Sequence, residues 1–329
     1  MKIYDKDTTA HAVVLKEYGL AYISSTSFNL IYKHHVRVKI FNSKGFDNGN
    51  IEILLHKSDA NSYEKISEIK GITFNVTENG IISKNNLEPK QIFKENYNKY
   101  WDVVKFALPN LQEGSIIEYS YQIESPRVYN FRTWIFQSSI PKIHSEYLAK
   151  LPAIYNYNVS LTGYQKLSTQ NSKLEKNCFD SGRGFKADCS NMTFIMKNVP
   201  AFIEEDYMTA SSNFMSAINF ELKEYINSNG VKTKLTNDWK DIDYELKTHD
   251  SFGKQYTKKS LFKDELVTVI GGISDDLDKA KAIYKHIQSR FRWNNYYGKY
   301  SDEGIKKALS KNSGNVGDIN LSLVAAMNA

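Results

Sequence analysis

Apolar and polar residues alternate along most of the first two thirds of the chain, which predicts β-strands with one buried face. The clearest stretch is 36–40, where Val36, Val38 and Ile40 alternate with Arg37 and Lys39. Comparable stretches lie at 51–55, 72–76, 117–123, 155–161, 192–199 and 217–222. Many such strands divided by polar turns are typical of an antiparallel sandwich or barrel-like domain.

The apolar spacing changes to that of helices after about Leu222. The clearest helix has an expected N-cap at Ser274. Its expected buried stripe consists of Leu277, Ala280, Ile283, Tyr284, Ile287 and Phe291. A shorter helix is predicted over 301–310. The sequence therefore predicts an α+β chain with an all-β domain over 1–226 and a mainly helical domain over 227–329.

The stretch 313–329 bears most directly on chemistry. A glycine-containing turn precedes Asp318, which is predicted to open a helix that is apolar on nearly every side and therefore buried. A residue in the turn at a helix start lies near backbone N–H groups and the positive end of the helix dipole, which lower a cysteine pKa. Here that residue is Val316, which cannot act as a nucleophile.

Three segments of the strand-rich part resemble the bacterial DUF3857 family. They are LPNLQEGSIIEYSY at 108–121, WIFQSSIP at 134–141 and NVPAFIEE at 198–205. The resemblance implies an all-β domain followed by a transglutaminase-like domain of the papain-like thiol class. The segment 278–318 resembles the first half of such a second domain.

The same resemblance implies where the catalytic residues would stand. The nucleophilic cysteine would occupy the position of Val316, before Asp318, and a histidine and an aspartate would follow the helix. All seven histidines precede this motif, and the sequence stops at Ala329. We therefore expect a degenerate site without catalytic residues.

The aromatic cluster Trp293, Tyr296 and Tyr297 follows the clearest helix and is a candidate groove for a peptide or glycan. The alternative is that it packs a helix end against its neighbour. His34 and His35 are neighbours in a predicted strand and point to opposite faces, so they do not predict a metal site. We expect neither a metal nor a cofactor.

Cys178 and Cys189 are the only cysteines. If the intervening turn is Arg183-Gly184, hairpin register places them opposite each other, close enough for a disulfide. Two free thiols are the alternative. A disulfide would favour an exported protein, and the resemblance also points to the periplasm or cell envelope. The first residues lack the apolar core of a signal peptide, so we expect either a cytoplasmic chain or one from which a signal peptide was removed.

The net charge of +6 comes from scattered lysines and argues against a nucleic-acid partner. No apolar run has the length of a transmembrane helix. We expect a non-catalytic envelope-associated binding or assembly module with a protein, peptide or glycan partner, and self-association through the C-terminal helix. One alternative is a cysteine peptidase or acyltransferase relative whose catalytic residues lie outside this chain. Another is a carbohydrate-binding β-domain.

Overall fold

We describe a computed structural model of the chain that covers residues 1–58, 62–180, 182, 186–227, 230–235 and 238–329. The chain divides into two compact units, Met1–Thr236 and Asn237–Ala329, whereas the predicted boundary lay between residues 226 and 227. Strands dominate the first unit and helices the second. The predicted α+β class is therefore confirmed.

The strands of the first unit are β1 (Ala12–Ile23), β2 (Leu30–Ile40), β3 (Asn50–His56), β4 (Lys65–Val76), β5 (Ile82–Asn86), β6 (Phe93–Asn98), β7 (Trp101–Ala107), β8 (Ile116–Ser125), β9 (Trp134–Ile135), β10 (Lys142–Pro152), β11 (Tyr155–Thr162), β12 (Thr169–Asp180), β13 (Lys186–Val199), β14 (Ala217–Ile226) and β15 (Lys232–Lys234). Asn79-Gly80, a residue pair typical of tight hairpin turns, lies in the connection between β4 and β5, with Gly80 at φ +75°.

Eight of these strands form one sheet in the order β12-β13-β10-β1-β2-β8-β4-β5. The neighbours are antiparallel except β1 and β10, which run parallel, so the sheet is mixed rather than wholly antiparallel. A sheet of β9, β11, β14 and β15 and a sheet of β3, β6 and β7 contribute to the same apolar core. Phe194 of β13, Phe220 of β14 and Phe106 of β7 are all buried in that core.

The hairpin of β12 and β13 carries both cysteines, and a disulfide joins Cys178 to Cys189 with Cα atoms 5.8 Å apart. The predicted register is wrong, because Cys189 pairs with Glu175 rather than with Cys178. The register shifts just after Glu175, where Asn177 has φ of 51°, and a bulge of this kind advances one strand relative to its partner. The predicted turn at Arg183-Gly184 lies outside the described residues.

A cluster of polar side chains lies on the inner face of the eight-stranded sheet. Glu17 on β1 accepts hydrogen bonds from Lys142 Nζ (2.6 Å) and Ser145 Oγ (2.9 Å) on β10. His34 Nε2 lies 3.3 Å from the other carboxylate oxygen of Glu17, and Trp134 Nε1 donates to Ser145 Oγ. We call these five residues the Glu17 cluster. Lys142 and Ser145 are buried, and the side chains of Glu17 and His34 are each only 12% exposed, so the cluster is largely shielded from solvent.

Trp134 covers this cluster because the strand beneath it has a glycine. A Cβ atom at Gly19 would lie 2.2 Å from Cζ3 of Trp134, so the indole can only rest on a residue without a side chain. The indole also stacks on Tyr147, with ring centroids 5.0 Å apart. The close approach to Gly19 and the hydrogen bond to Ser145 together set the position of the ring.

The charges of the cluster affect the titration of Glu17. Burial alone would raise the pKa of this carboxyl, but the charge of Lys142 and the hydrogen bond to His34 outweigh burial and lower the pKa from 4.5 to about 2. The stability gained from ionised Glu17 is therefore present above the unfolded-state pKa. It is lost as the pH falls from about 4.5 towards 2.

The second unit contains α1 (Trp239–Thr248), α2 (Gly253–Tyr256), α3 (Lys263–Ile270), α4 (Asp276–Arg290), α5 (Ile305–Lys311) and α6 (Val316–Met327). Two short parallel strands, β16 (Arg292–Trp293) and β17 (Ser313–Gly314), precede α5 and α6 respectively. Its core consists of Phe262, Leu266, Ile283, Ile287, Ile305, Leu309, Leu321, Ala325 and Ala326.

Two predictions about α4 are wrong. Its N-cap is Asp275, whose carboxylate accepts from Asp278 N–H, rather than Ser274. Leu277 and Tyr284 are exposed, because the inward-facing positions of this helix are those of Ile283 and Ile287. The helix predicted over 301–310 corresponds to α5, which begins only at Ile305, after Gly304. Among the residues that the structure describes, no helix is long and apolar enough to span a membrane.

Replacing Glu17 with Gln should lower the free energy of unfolding by about 3–5 kcal/mol, because Lys142 is left buried without its counter-charge. The wild type should also lose about 3 kcal/mol through this carboxyl as the pH falls from about 4.5 to about 2, and the variant should lack that dependence. Urea unfolding at several pH values measures both effects. The exposed Glu221→Gln variant is the control, with a change under about 0.5 kcal/mol. A Glu17→Gln variant as stable as the wild type would contradict the assignment.

Candidate functional site

The start of α6 contains Val316, the residue at the position where the sequence predicts a degenerate site. Its N-cap is Asn315 rather than Asp318, which lies three residues into the helix. Asn315 Oδ1 accepts from Asp318 N–H (2.7 Å), and Asp318 Oδ2 accepts from Asn315 N–H (3.1 Å), which is a reciprocal capping box. Val316 is consequently the first helical residue, and its side chain is half-buried.

The first amide groups of α6 all have partners within the chain. Val316 N–H donates to the carbonyl of Tyr296 (3.2 Å), and Gly317 N–H donates to the carbonyl of Gly298 (2.8 Å). The third amide, that of Asp318, donates to Asn315. A helix start can stabilise a thiolate or an oxyanion only through amide groups that are free to bind it. Here these three amides are already bound.

The polar side chains next to this turn are hydrogen-bonded to one another and to the neighbouring backbone. Asp318 Oδ1 accepts from Ser301 Oγ, and the Asp318 carbonyl accepts from Ser322 Oγ (2.7 Å). Asn315 Nδ2 donates to the carbonyl of Tyr300 (2.9 Å). All of these side chains except that of Tyr300 are buried. Their hydrogen bonds hold the loop 296–301 against the helix and leave no acid or base among them pointing outwards.

Close backbone packing explains the glycines of this motif. A Cβ atom at Gly317 would lie 2.7 Å from the carbonyl oxygens of Lys299 and Tyr300, and one at Gly314 would lie 2.5 Å from Cβ of Asp318. The glycines therefore allow the loop and the helix to touch. No described histidine forms a hydrogen bond with Val316 or with the capping box, so the position lacks both a nucleophile and a base among the described residues.

The predicted aromatic residues belong to the loop that contacts α6. Trp293 and Tyr297 are exposed and lie edge to face with ring centroids 4.8 Å apart, and Trp293 Nε1 donates to the carbonyl of Tyr296 (3.1 Å). The Tyr296 ring is half-buried, and its carbonyl binds the first amide of α6. The loop therefore packs through its backbone, while the Trp293 and Tyr297 rings remain accessible to a ligand.

The sequence did not predict the Glu17 cluster, and His34 was considered only as a metal ligand and rejected as one. One signal was available: Glu17 and His34 occupy positions that face inwards in the alternation of β1 and β2. A polar residue at an inward position needs a partner. The alternation does not identify that partner, because Lys142 lies 125 residues away from Glu17.

The fold resembles that of proteins with solved structures. The crystal structure of a "putative protease" from Parabacteroides distasonis ATCC 8503 aligns with 97% of this chain at a TM-score of 0.63 and 13% sequence identity. The likeness is one of fold alone. This chain spans 58% of the length of that protein.

A second matching structure is much less similar. It is an M1 zinc metallopeptidase from Deinococcus radiodurans, which aligns with 66% of this chain and over 44% of its own length. The sequence identity is 10% and the TM-score is only 0.29, too low to support an argument about function. No protein-family model matches the chain, and no curated protein matches its sequence.

Replacing Asn315 with Ala should destabilise the start of α6 by about 2 kcal/mol, because it removes the cap and leaves a buried amide unbound. Hydrogen–deuterium exchange of peptides that cover 315–327 should then be about 30-fold faster, as a change of about 2 kcal/mol implies. Asn320→Ala is the matched control, since Asn320 is exposed on the same helix, and its exchange should change less than about threefold. Equal exchange rates in the two variants would refute the capping role.

Proposed function

We propose that this chain is a non-catalytic binding or assembly module of the bacterial cell envelope. In this proposal a DUF3857-like β unit precedes the front half of a transglutaminase-like unit that no longer catalyses. The observation that carries the proposal is the start of α6, where Val316 occupies the nucleophile position and the first three amide groups bind within the chain.

Covalent catalysis by a thiol needs a nucleophile, a base and donors for the developing charge. The start of α6 offers a valine and occupied amides. Asp318 and Asn315, the polar residues nearest to it, are committed to the capping box. These contacts support a scaffold role for the helical unit, with protein, peptide or glycan ligands contacting exposed surface such as the Trp293 and Tyr297 rings.

The disulfide between Cys178 and Cys189 supports the envelope location. Disulfides persist in oxidising compartments such as the periplasm and are rare in the cytosol. Both cysteines of the chain are used in this bond, so neither is available as a catalytic thiol while it is intact.

The purified chain should not turn over amide or ester substrates, and Val316→Cys should remain inactive. A thiol with the ordinary pKa of about 8.5 would have neither a base nor a free amide donor beside it. The assays are ester hydrolysis and glutamine amide transfer, with papain as the positive control and Val316→Ser as the matched variant. Turnover by the wild type that a thiol reagent abolishes, or turnover by Val316→Cys above Val316→Ser, would favour the alternative of an amide-acting enzyme.

Self-association through the C-terminal helix is the second part of the proposal. The buried side of α6 packs on the other helices of its unit, but Val324 and Met327 are 43% and 47% exposed. A groove of about 540 Å³ between α3, α4 and the end of α6 is lined by Leu266, Val267 and Met327, among others. Exposed apolar surface of this kind is typical of an interaction site, and a second copy of the chain is the occupant that we propose.

Sedimentation equilibrium should show dimers of the wild type at about 100 μM, a concentration at which even a small apolar interface associates. The double variant Val267→Glu/Met327→Glu should be monomeric, because it places carboxylates in the groove. Ile203→Glu, an equally exposed apolar position in the first unit, should dimerise like the wild type. A wild type that stays monomeric at about 1 mM would refute this part.

A further inference from the structure

The outer face of the eight-stranded sheet carries a polar pocket. The pocket has a volume of about 390 Å³ and lies where β2, β8 and β4 run side by side, next to the end of the edge strand β5. His35 faces this pocket, whereas its neighbour His34 faces the Glu17 cluster on the other side of the sheet. We call it the outer pocket.

The carboxylate that lines the outer pocket, Glu118, is already neutralised. Its Oε1 lies 2.6 Å from His35 Nε2, and its Oε2 accepts from Arg37 Nε (2.7 Å) and lies 2.6 Å from Arg37 Nη2. Burial opposes ionisation of Glu118, but the hydrogen bonds from Arg37 and His35 hold its pKa below the ordinary value. Glu118 therefore stays ionised, with its charge offset by Arg37.

Three other polar side chains line the outer pocket. Lys70, Asn86 and Ser120 make no side-chain hydrogen bond or ion pair with any residue that the structure describes. Ser120 on β8 pairs in register with His35 on one side and Lys70 on the other, so these three side chains share the outer face. Lys70 and Asn86 are exposed to solvent and Ser120 is half-buried. Side-chain donors that line one pocket without a partner in the described part of the protein, one of them charged, favour an anionic ligand.

The local backbone supports a built pocket rather than a flat sheet surface. A bulge interrupts β4 between Ser67 and Lys70, where Glu68 has φ of 54°. Bulges of this kind re-aim side chains and recur beside functional sites. Leu87, just after β5, donates its N–H to the carbonyl of Gly71 and closes one side of the pocket.

We infer that the outer pocket binds a monocarboxylate with an apolar tail. Once Arg37 offsets Glu118, the charge left over among the residues that line the pocket is that of Lys70, which matches a monoanion better than a dianion. The volume exceeds that of a bare carboxylate, and Ile72 and Leu87 supply apolar wall. Lys70 and Ser120 would hold the carboxylate, and the tail would lie along the apolar wall.

Two biological sources share this chemistry, a fatty acid and the C-terminus of an apolar peptide. The inference rests on the proposed binding role and names its ligand class. Absence of carboxylate binding would contradict this inference, whereas turnover of a substrate would contradict the proposed function. The two outcomes are therefore distinguishable. Octanoate and N-acetyl-alanyl-leucine are the two probes.

Titration of ¹³C-carboxyl octanoate, followed by NMR and calorimetry, should give a Kd of about 1 mM or lower for the full chain. Lys70→Gln should weaken binding about tenfold through loss of a charge-assisted hydrogen bond. Lys16→Gln is the matched control, because it removes the same charge on β1 of the same sheet, outside the pocket. It should change Kd less than about twofold, and 1-octanol should bind about tenfold more weakly than octanoate.

Tighter binding of the peptide than of octanoate would identify a chain terminus as the ligand, and the reverse would identify a fatty acid.

Absence of binding by both carboxylates up to about 10 mM would overturn the inference. So would equal binding of 1-octanol and octanoate, since the charge would then play no part. An equal loss in Lys16→Gln and Lys70→Gln would also overturn it, because only the general surface charge would then attract the probe. Circular dichroism of each variant confirms that the sheet is intact.

Discussion

The ion pair between Glu17 and Lys142 is the constraint on which the β unit depends. It joins β1 to β10, two strands that run parallel although most of their neighbours are antiparallel, across 125 residues of chain. A buried pair of charges is tolerated only when its remaining hydrogen-bonding capacity is satisfied. Ser145 and His34 contribute to that here, and Trp134 covers the cluster because Gly19 leaves room for it.

A related arrangement determines the behaviour of the helical unit. At the start of α6, backbone amides, two serine hydroxyls and the Asp318 carboxylate are all paired with each other or with the loop before the helix. In a thiol enzyme, the free amide groups and the positive end of the helix dipole at such a helix start would face the substrate. In this chain the same groups hold the loop in place, and the first three amides of α6 are bound within the chain.

Successive side chains of a strand point to opposite faces of the eight-stranded sheet, so that one face carries the Glu17 cluster and the other carries the outer pocket. His34 and His35 are consecutive, yet one belongs to a closed structural cluster and the other to an open pocket on the opposite face. On the inner face, the charges of Glu17 and Lys142 are paired with each other, because an isolated charge is costly to bury. The outer face can retain unpaired donors such as Lys70 and Ser120, since solvent or a ligand satisfies them.

The sequence by itself determined seven of the described strands, the order of strands before helices and the identity of residue 316 as a valine. These features depend on local patterns of period 2 or 3.6 and on the identity of single residues. Only the tertiary structure decided that β1 pairs in parallel with β10, that Asn315 caps α6, that Leu277 and Tyr284 are exposed, and that Glu17 meets Lys142. Alternation reports which side of an element is apolar, but it does not identify the element that packs there. That choice depends on contacts between residues far apart in the chain, which no local pattern encodes.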